Sequence, residues 1–174
     1  MTRHRIGTAF IVAAVLAGCG GTEPRRRPRL IFGPGTHILS IEHRDEMSET
    51  FRLVRLRVTV DGGEVYVAGS DEDGAQTLPD ATCVYRNAVS AGEHEVGVEL
   101  LYRGRGHGVF SYLSGYRFAV RSTTRADVVQ GSAVVHLVAA GVEEGGATAP
   151  LEDRPKVRFT TSLEETDTAA GCHP

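Results

Sequence analysis

The sequence predicts an all-β protein: a single antiparallel β-sandwich of seven or eight strands. Three observations predict it. Apolar side chains recur at every second position in several short runs. Turn residues, mainly glycine and aspartate, separate those runs about every 8 to 12 residues. No stretch beyond the amino terminus carries a convincing helical period. The pattern is strongest from Gly92 to Val120. His94, Val96, Val98, Leu100 and Tyr102 share one parity, against Glu95, Gly97 and Glu99. Phe110, Tyr112, Tyr116, Phe118 and Val120 share another, against Ser111, Arg117 and Arg121. Each run reads as a half-buried strand, and Arg103 to Gly108 (RGRGHG) reads as the turn of a long hairpin.

In chain order, residues 1–18 read as a signal peptide, with Arg3 and Arg5 ahead of the apolar run Ile6 to Leu16, which is too short for a stable membrane span. Leu16-Ala17-Gly18-Cys19 resembles the lipobox of bacterial lipoproteins. That resemblance implies cleavage after Gly18 and acylation of Cys19, so that the membrane is a partner through a lipid anchor. Two or more acyl chains anchor stably where one does not. Gly20, rather than an aspartate, follows the cysteine, which points to the outer membrane. Residues 19–35 are rich in glycine, proline and arginine and read as a flexible tether. Arg25, Arg26, Arg27 and Arg29 either touch anionic headgroups or are solvated linker charges.

Residues 36–162 form the predicted sandwich. Thr36 to Ile41 is a short first strand, and the polar Glu42 to Glu49 is a helical turn or a loop. Phe51 to Val60 is a strong strand, with Val54, Leu56, Val58 and Val60 facing one way and Arg55, Arg57 and Thr59 the other. Asp61-Gly62-Gly63 turns the chain into Glu64 to Ala68, and Gly69 to Asp80 is a flexible acidic loop. Thr82 to Val89 leads to the central hairpin. Ala126 to Val129 and Ala133 to Ala140 then flank Gln130-Gly131-Ser132 as a further hairpin. After a glycine-rich loop, Pro155 to Thr161 is a last, edge strand, and residues 163–174 are a tail.

The chain from Cys19 onward has 156 residues, enough for one domain with a core. Its 17 arginines and lysines stand against 22 acidic residues, a net charge of −5 that argues against nucleic acid as a partner. With Cys19 lipidated, Cys83 and Cys172 remain. An oxidising compartment favours a disulfide between them, and two free thiols are the alternative. The histidines show no HxH, HExxH or HxxxH spacing, so no metal site and no cofactor is expected. Asp71, Glu72 and Asp73 lack the spacing of a calcium loop. GVFSYLSG, from Gly108, is not a nucleophile elbow, and no phosphate-binding loop occurs. Recognition therefore falls to Tyr102 through Tyr116. Tyr102, Arg103, Arg105, His107 and Tyr112 are the candidate partner contacts, because tyrosine and arginine combine area with hydrogen bonds. Arg103, Arg105 and His107 are expected at an exposed loop tip, whereas the simpler place for Phe110, Tyr112, Tyr116 and Phe118 is the core.

Phe51-Arg52-Leu53, Ser90-Ala91-Gly92-Glu93-His94, Tyr102-Arg103-Gly104, the stretch Gly108 to Leu113, Gly115-Tyr116-Arg117-Phe118 and the stretch Pro150 to Pro155 resemble an uncharacterised group of envelope lipoproteins from myxobacteria and their relatives. Some members are labelled dihydrolipoamide acetyltransferase. The residues do not support that label. The acyltransferase pattern is HRxxDG-like, and here His43-Arg44 is followed by Asp45-Glu46-Met47-Ser48. Lys156, the only lysine, lies in PKVRF and not in a lipoyl motif. The Gly92-Glu93-His94 turn is also similar to β-sandwich surface modules of the PEGA type, a fold-level analogy. The expectation is a lipid-anchored binding or structural module without catalytic residues, its partner an envelope protein or glycan. The alternatives are an envelope hydrolase whose site is assembled only by the fold, with His94 or His136 beside a carboxylate in a pocket, and a periplasmic carrier or assembly factor.

Overall fold

The computed structural model describes residues 37–106, 108–129, 134–145, 148–164 and 172. The signal peptide, Cys19, the tether, His107, the Gln130-Gly131-Ser132 turn, the rest of the tail and the side chain of Phe110 lie outside the described residues. The strands are β1 (His37–Glu46), β2 (Phe51–Val60), β3 (Gly63–Gly69), β4 (Ala81–Val89), β5 (Gly92–Gly104), β6 (Arg117–Val128), β7 (Val134–Glu143) and β8 (Pro155–Glu164). One sheet has the order β4-β1-β7-β8 and the other β3-β2-β5-β6. Every neighbouring pair is antiparallel except β1 and β7, which are parallel. The fold is the predicted sandwich.

Alternation builds the core. Leu39 and Ile41 of β1 and Leu137 and Ala139 of β7 meet Leu56, Val58, Val96, Val98, Leu100 and Tyr102 from the other sheet. Phe51 stands edge-on to Tyr102 and to Phe118, with ring centroids 6.2 and 5.2 Å away. Each of these large apolar side chains contributes about 2 kcal/mol by leaving water. Cys83 of β4 and Cys172 form a disulfide across a separation of 89 residues.

Several elements differ from the sequence expectation. β1 continues through the polar Glu42 to Glu46 because it is a central strand, paired on both sides by β4 and β7. Backbone pairing outweighs side-chain polarity there. Residues 108–115 are a 3-10 segment, not a strand. The serines explain it: Ser114 Oγ donates to Ser111 O at 2.6 Å, and Tyr116 N donates to Leu113 O at 2.9 Å, local bonds that compete with a ladder. Leu113 in it is buried, while Tyr112 and the following Tyr116 are 61% and 54% exposed, so neither tyrosine fills the core. β6 then runs unbroken from Arg117 to Val128 through Ser122, Thr123 and Thr124, and it lies in a different sheet from β7. β6 and β7 therefore do not pair as the expected hairpin. Finally, the acidic loop 70–80 is held down. Val54 is an extra residue at a β2 bulge, and Ser70 N donates to Val54 O at 3.0 Å and Leu78 N to Leu53 O at 2.9 Å. Gly69 makes that approach with a φ of 78°, and a Cβ there would collide with the Val54 carbonyl.

Candidate functional site

The outward face of the β3-β2-β5-β6 sheet is organised in rows across its strands. Register places Arg52, Arg103 and Arg117 side by side on β2, β5 and β6. The next outward row is Arg55, Leu101 and Ala119, and the one after it is Arg57, Glu99 and Arg121. Two members of the first row, Arg103 and Arg117, are engaged by the 70–80 loop. Arg103 Nη1 donates to Asp73 Oδ1 at 2.7 Å, Arg103 Nη2 to the Asp71 carbonyl, and Arg117 Nε lies 2.9 Å from Asp71 Oδ1. The Arg103 guanidinium holds the Asp73 carboxyl below its ordinary range. In the third row Glu99 lies 3.3 Å from Arg121 Nε and 3.9 Å from Arg57 Nη1. Arg57 Nε also sits 2.7 Å from Glu64 Oε2, off the N–H axis, as an ion pair without a hydrogen bond.

Long side chains therefore flank a row with two short apolar members. The result is a depression of about 200 Å³ lined by Arg55, Arg57, Asp71, Glu99, Leu101 and Arg121, among others. Arg55 is exposed, and among the described residues its side chain has no ion-pair or hydrogen-bond partner. Sequence reading placed Arg55, Arg57 and Thr59 on one face but did not join them to Glu99 and Arg121. The shared outward parity of β2, β5 and β6 carried that signal.

The predicted contact residues separate into two groups. Tyr102 is fully buried, with its hydroxyl donating to Asp45 Oδ1 at 3.2 Å, and burial followed by the Asp45 charge pushes its pKa up. Arg103 is only 8% exposed and belongs to β5. Neither side chain is open to the expected partner contact: Tyr102 faces the core from its strand as its parity predicts, and β5 continues to Gly104, so Arg103 stands in the sheet and not at a loop tip. Arg105 is exposed, with its backbone N donating to Thr50 O at 2.7 Å and its Nη2 to Thr77 Oγ1 at 3.4 Å. Tyr112 and Tyr116 form an exposed edge-to-face pair 6.3 Å apart, and Tyr116 stacks on Phe118. Gly104 N donates to Tyr116 O at 3.1 Å and fixes this turn against β5.

Two histidines lie beside carboxylates. His94 Nδ1 is 2.7 Å from Asp61 Oδ2, while Nε2 is 3.0 Å from the Ser90 carbonyl and 3.5 Å from Ser90 Oγ. The Ser90 carbonyl, then Asp61, raises the His94 pKa, and His94 in turn lowers that of Asp61. Asp, His and Ser are the types of an acyl-transfer triad, but here the Nε2–H donates to a carbonyl. It has no lone pair free to accept the serine proton. His136 is buried, with Nδ1 at 3.3 Å from Ser40 Oγ and Nε2 at 3.4 Å from Glu42 Oε2. Arg44, 2.7 Å from Glu42 Oε1, is the main cause of the lowered Glu42 pKa. Among the described residues no group of three or more His, Cys, Asp or Glu side chains is placed to hold a metal ion. Comparison of the chain with protein-family models, curated proteins and solved structures yields no match.

Proposed function

We infer that this chain is a lipid-anchored β-sandwich of the bacterial cell envelope, held at the outer membrane through Cys19 and serving as a non-catalytic binding module. The observation that carries the reading is the exposed Tyr112–Tyr116 pair, mounted on a turn that is hydrogen-bonded into β5. Aromatic side chains fixed before contact lose little conformational entropy on binding, which suits them to recognition. Arg105 and Arg117 lie close by in sequence, and an envelope protein or glycan fits such a surface. The lipobox supports the anchor, and the disulfide suits an oxidising compartment.

The test uses the full-length chain expressed in a bacterial host, with wild type compared with a Tyr112→Ser/Tyr116→Ser variant. Expected are a membrane-bound chain whose amino terminus is an acylated Cys19, and co-sedimentation with isolated envelope fragments that the double substitution cuts at least about tenfold. Stability should fall by no more than the loss of the Tyr116–Phe118 stacking, about 0.5–1.5 kcal/mol, so the variant stays folded. Equal co-sedimentation of the two proteins would refute the surface, and recovery of the wild type in the soluble fraction would refute the anchor.

A further inference from the structure

We propose that the depression on the outer face of the β3-β2-β5-β6 sheet binds one acidic sugar unit, a hexose carrying a carboxylate or a phosphate. This deepens the binding-module reading by naming a ligand class, and rests on that reading only for where such a ligand would be met. Its residues are separate from the tyrosine pair.

Four features point to this chemistry. The floor is apolar where Leu101 and Ala119 occupy one cross-strand row, and so offers a surface to the C–H face of a sugar ring. Arg55 stands at the end of that row, its side chain without a partner among the described residues. Its planar fork matches a carboxylate or phosphate in bidentate fashion. Glu99, Arg57, Arg121 and Asp71 line the depression; Glu99 is oriented by ion pairs with Arg57 and Arg121, and Asp71 by one with Arg117 beside it. Such alternating donors and acceptors match the hydroxyls of a sugar, which need both at once. The volume of about 200 Å³ is below the roughly 300–1,000 Å³ of sites for larger ligands, and suits one ring. The balance of charge argues in the same direction. Asp71 is engaged by Arg117 and Arg103, and Glu99 by Arg57 and Arg121, which leaves the Arg55 charge for one anionic group.

The experiment is amide NMR of the full-length chain in detergent micelles, titrated separately with glucuronate, glucose 6-phosphate, glucose and inorganic phosphate. Shifts at Leu101, Ala119 and Arg55 with either acidic sugar, well beyond those with glucose or phosphate, are expected, and the stronger of the two names the anionic group. Arg55→Gln should weaken that binding about tenfold, and Ala119→Tyr, which fills an exposed position, should abolish it. Arg125→Gln, farther along the same face, should leave it unchanged. Equal shifts with inorganic phosphate would reduce the site to a simple anion contact and overturn the proposal, as would equal shifts with glucose. No shift with any ligand overturns it too, while leaving the Tyr112–Tyr116 reading untouched.

Discussion

Acid should unfold this protein partly through one core histidine. The His43 ring is wholly buried, its Nδ1–H donates to the Ala139 carbonyl at 2.9 Å, and its Nε2 is buried with no partner. A second proton would have to sit on Nε2, away from water and from any acceptor. Burial accordingly pushes its pKa down from 6.5 to about 4, against a smaller opposing pull from the Ala139 carbonyl. Between those two pH values the unfolded chain binds a proton that the folded chain refuses. Stability is therefore fully present above pH 6.5 and falls as pH drops toward 4. At 1.36 kcal/mol for each pH unit of the gap, the loss approaches about 3 kcal/mol. Other groups act in the same experiment. The lowered pKa values of Glu42, Asp61 and Asp73 cause loss only at lower pH, as it falls through their folded values. The raised pKa of His94 has the opposite sense, with stability present below 6.5 and lost as pH rises through its folded value. Only a difference isolates His43. Urea unfolding of the oxidised full-length chain, followed by circular dichroism from about pH 4 to pH 7.5, should be run on wild type and His43→Leu. The substitution removes the hydrogen bond to the Ala139 carbonyl and lowers stability by roughly 1–3 kcal/mol near neutral pH. On acidification the difference should then move about 3 kcal/mol in favour of the variant. Parallel curves would refute the reasoning.

Two further perturbations follow from the core and the crosslink. A Cβ on Gly141 of β7 would collide with the Tyr102 hydroxyl, so Gly141→Ala should lower unfolding free energy by about 1–3 kcal/mol. In a Tyr102→Phe background, where that hydroxyl is gone, the penalty should shrink; an unchanged penalty in the double-variant cycle would show that the hydroxyl is not the obstacle. Reduction of Cys83–Cys172 opens a closure spanning 89 residues, worth about 4.6 kcal/mol in the chain-entropy account. Dithiothreitol should lower the urea midpoint of the wild type and leave a Cys83→Ser/Cys172→Ser variant unmoved; identical wild-type midpoints with and without reductant would contradict it.

Period-two alternation made β2 legible from Arg55 to Val60 and β5 as far as Tyr102, because each has one face in the core and one in water; ahead of the bulge at Val54 the parity of β2 is reversed. The turn at Asp61-Gly62-Gly63, the edge position of β8 and the pairing of Cys83 with Cys172 were legible for similarly local or compositional reasons. The tyrosine-bearing segment was not. Its alternation mimicked a strand, and only the local serine hydrogen bonds and the continuation of β5 to Gly104 decide that residues 108–115 coil instead. That difference moves Arg103 into the sheet and turns Tyr112 and Tyr116 outward.

The sequence by itself determined the class of fold and which face of each strong strand meets water, since side-chain alternation is a property of a single strand. Tertiary structure alone decided the order of strands, the parallel β1–β7 pair and the joining of Arg55, Leu101 and Ala119 into one row. Those depend on register between segments far apart in the chain, and register is set by how whole faces pack and not by the residues of any one run.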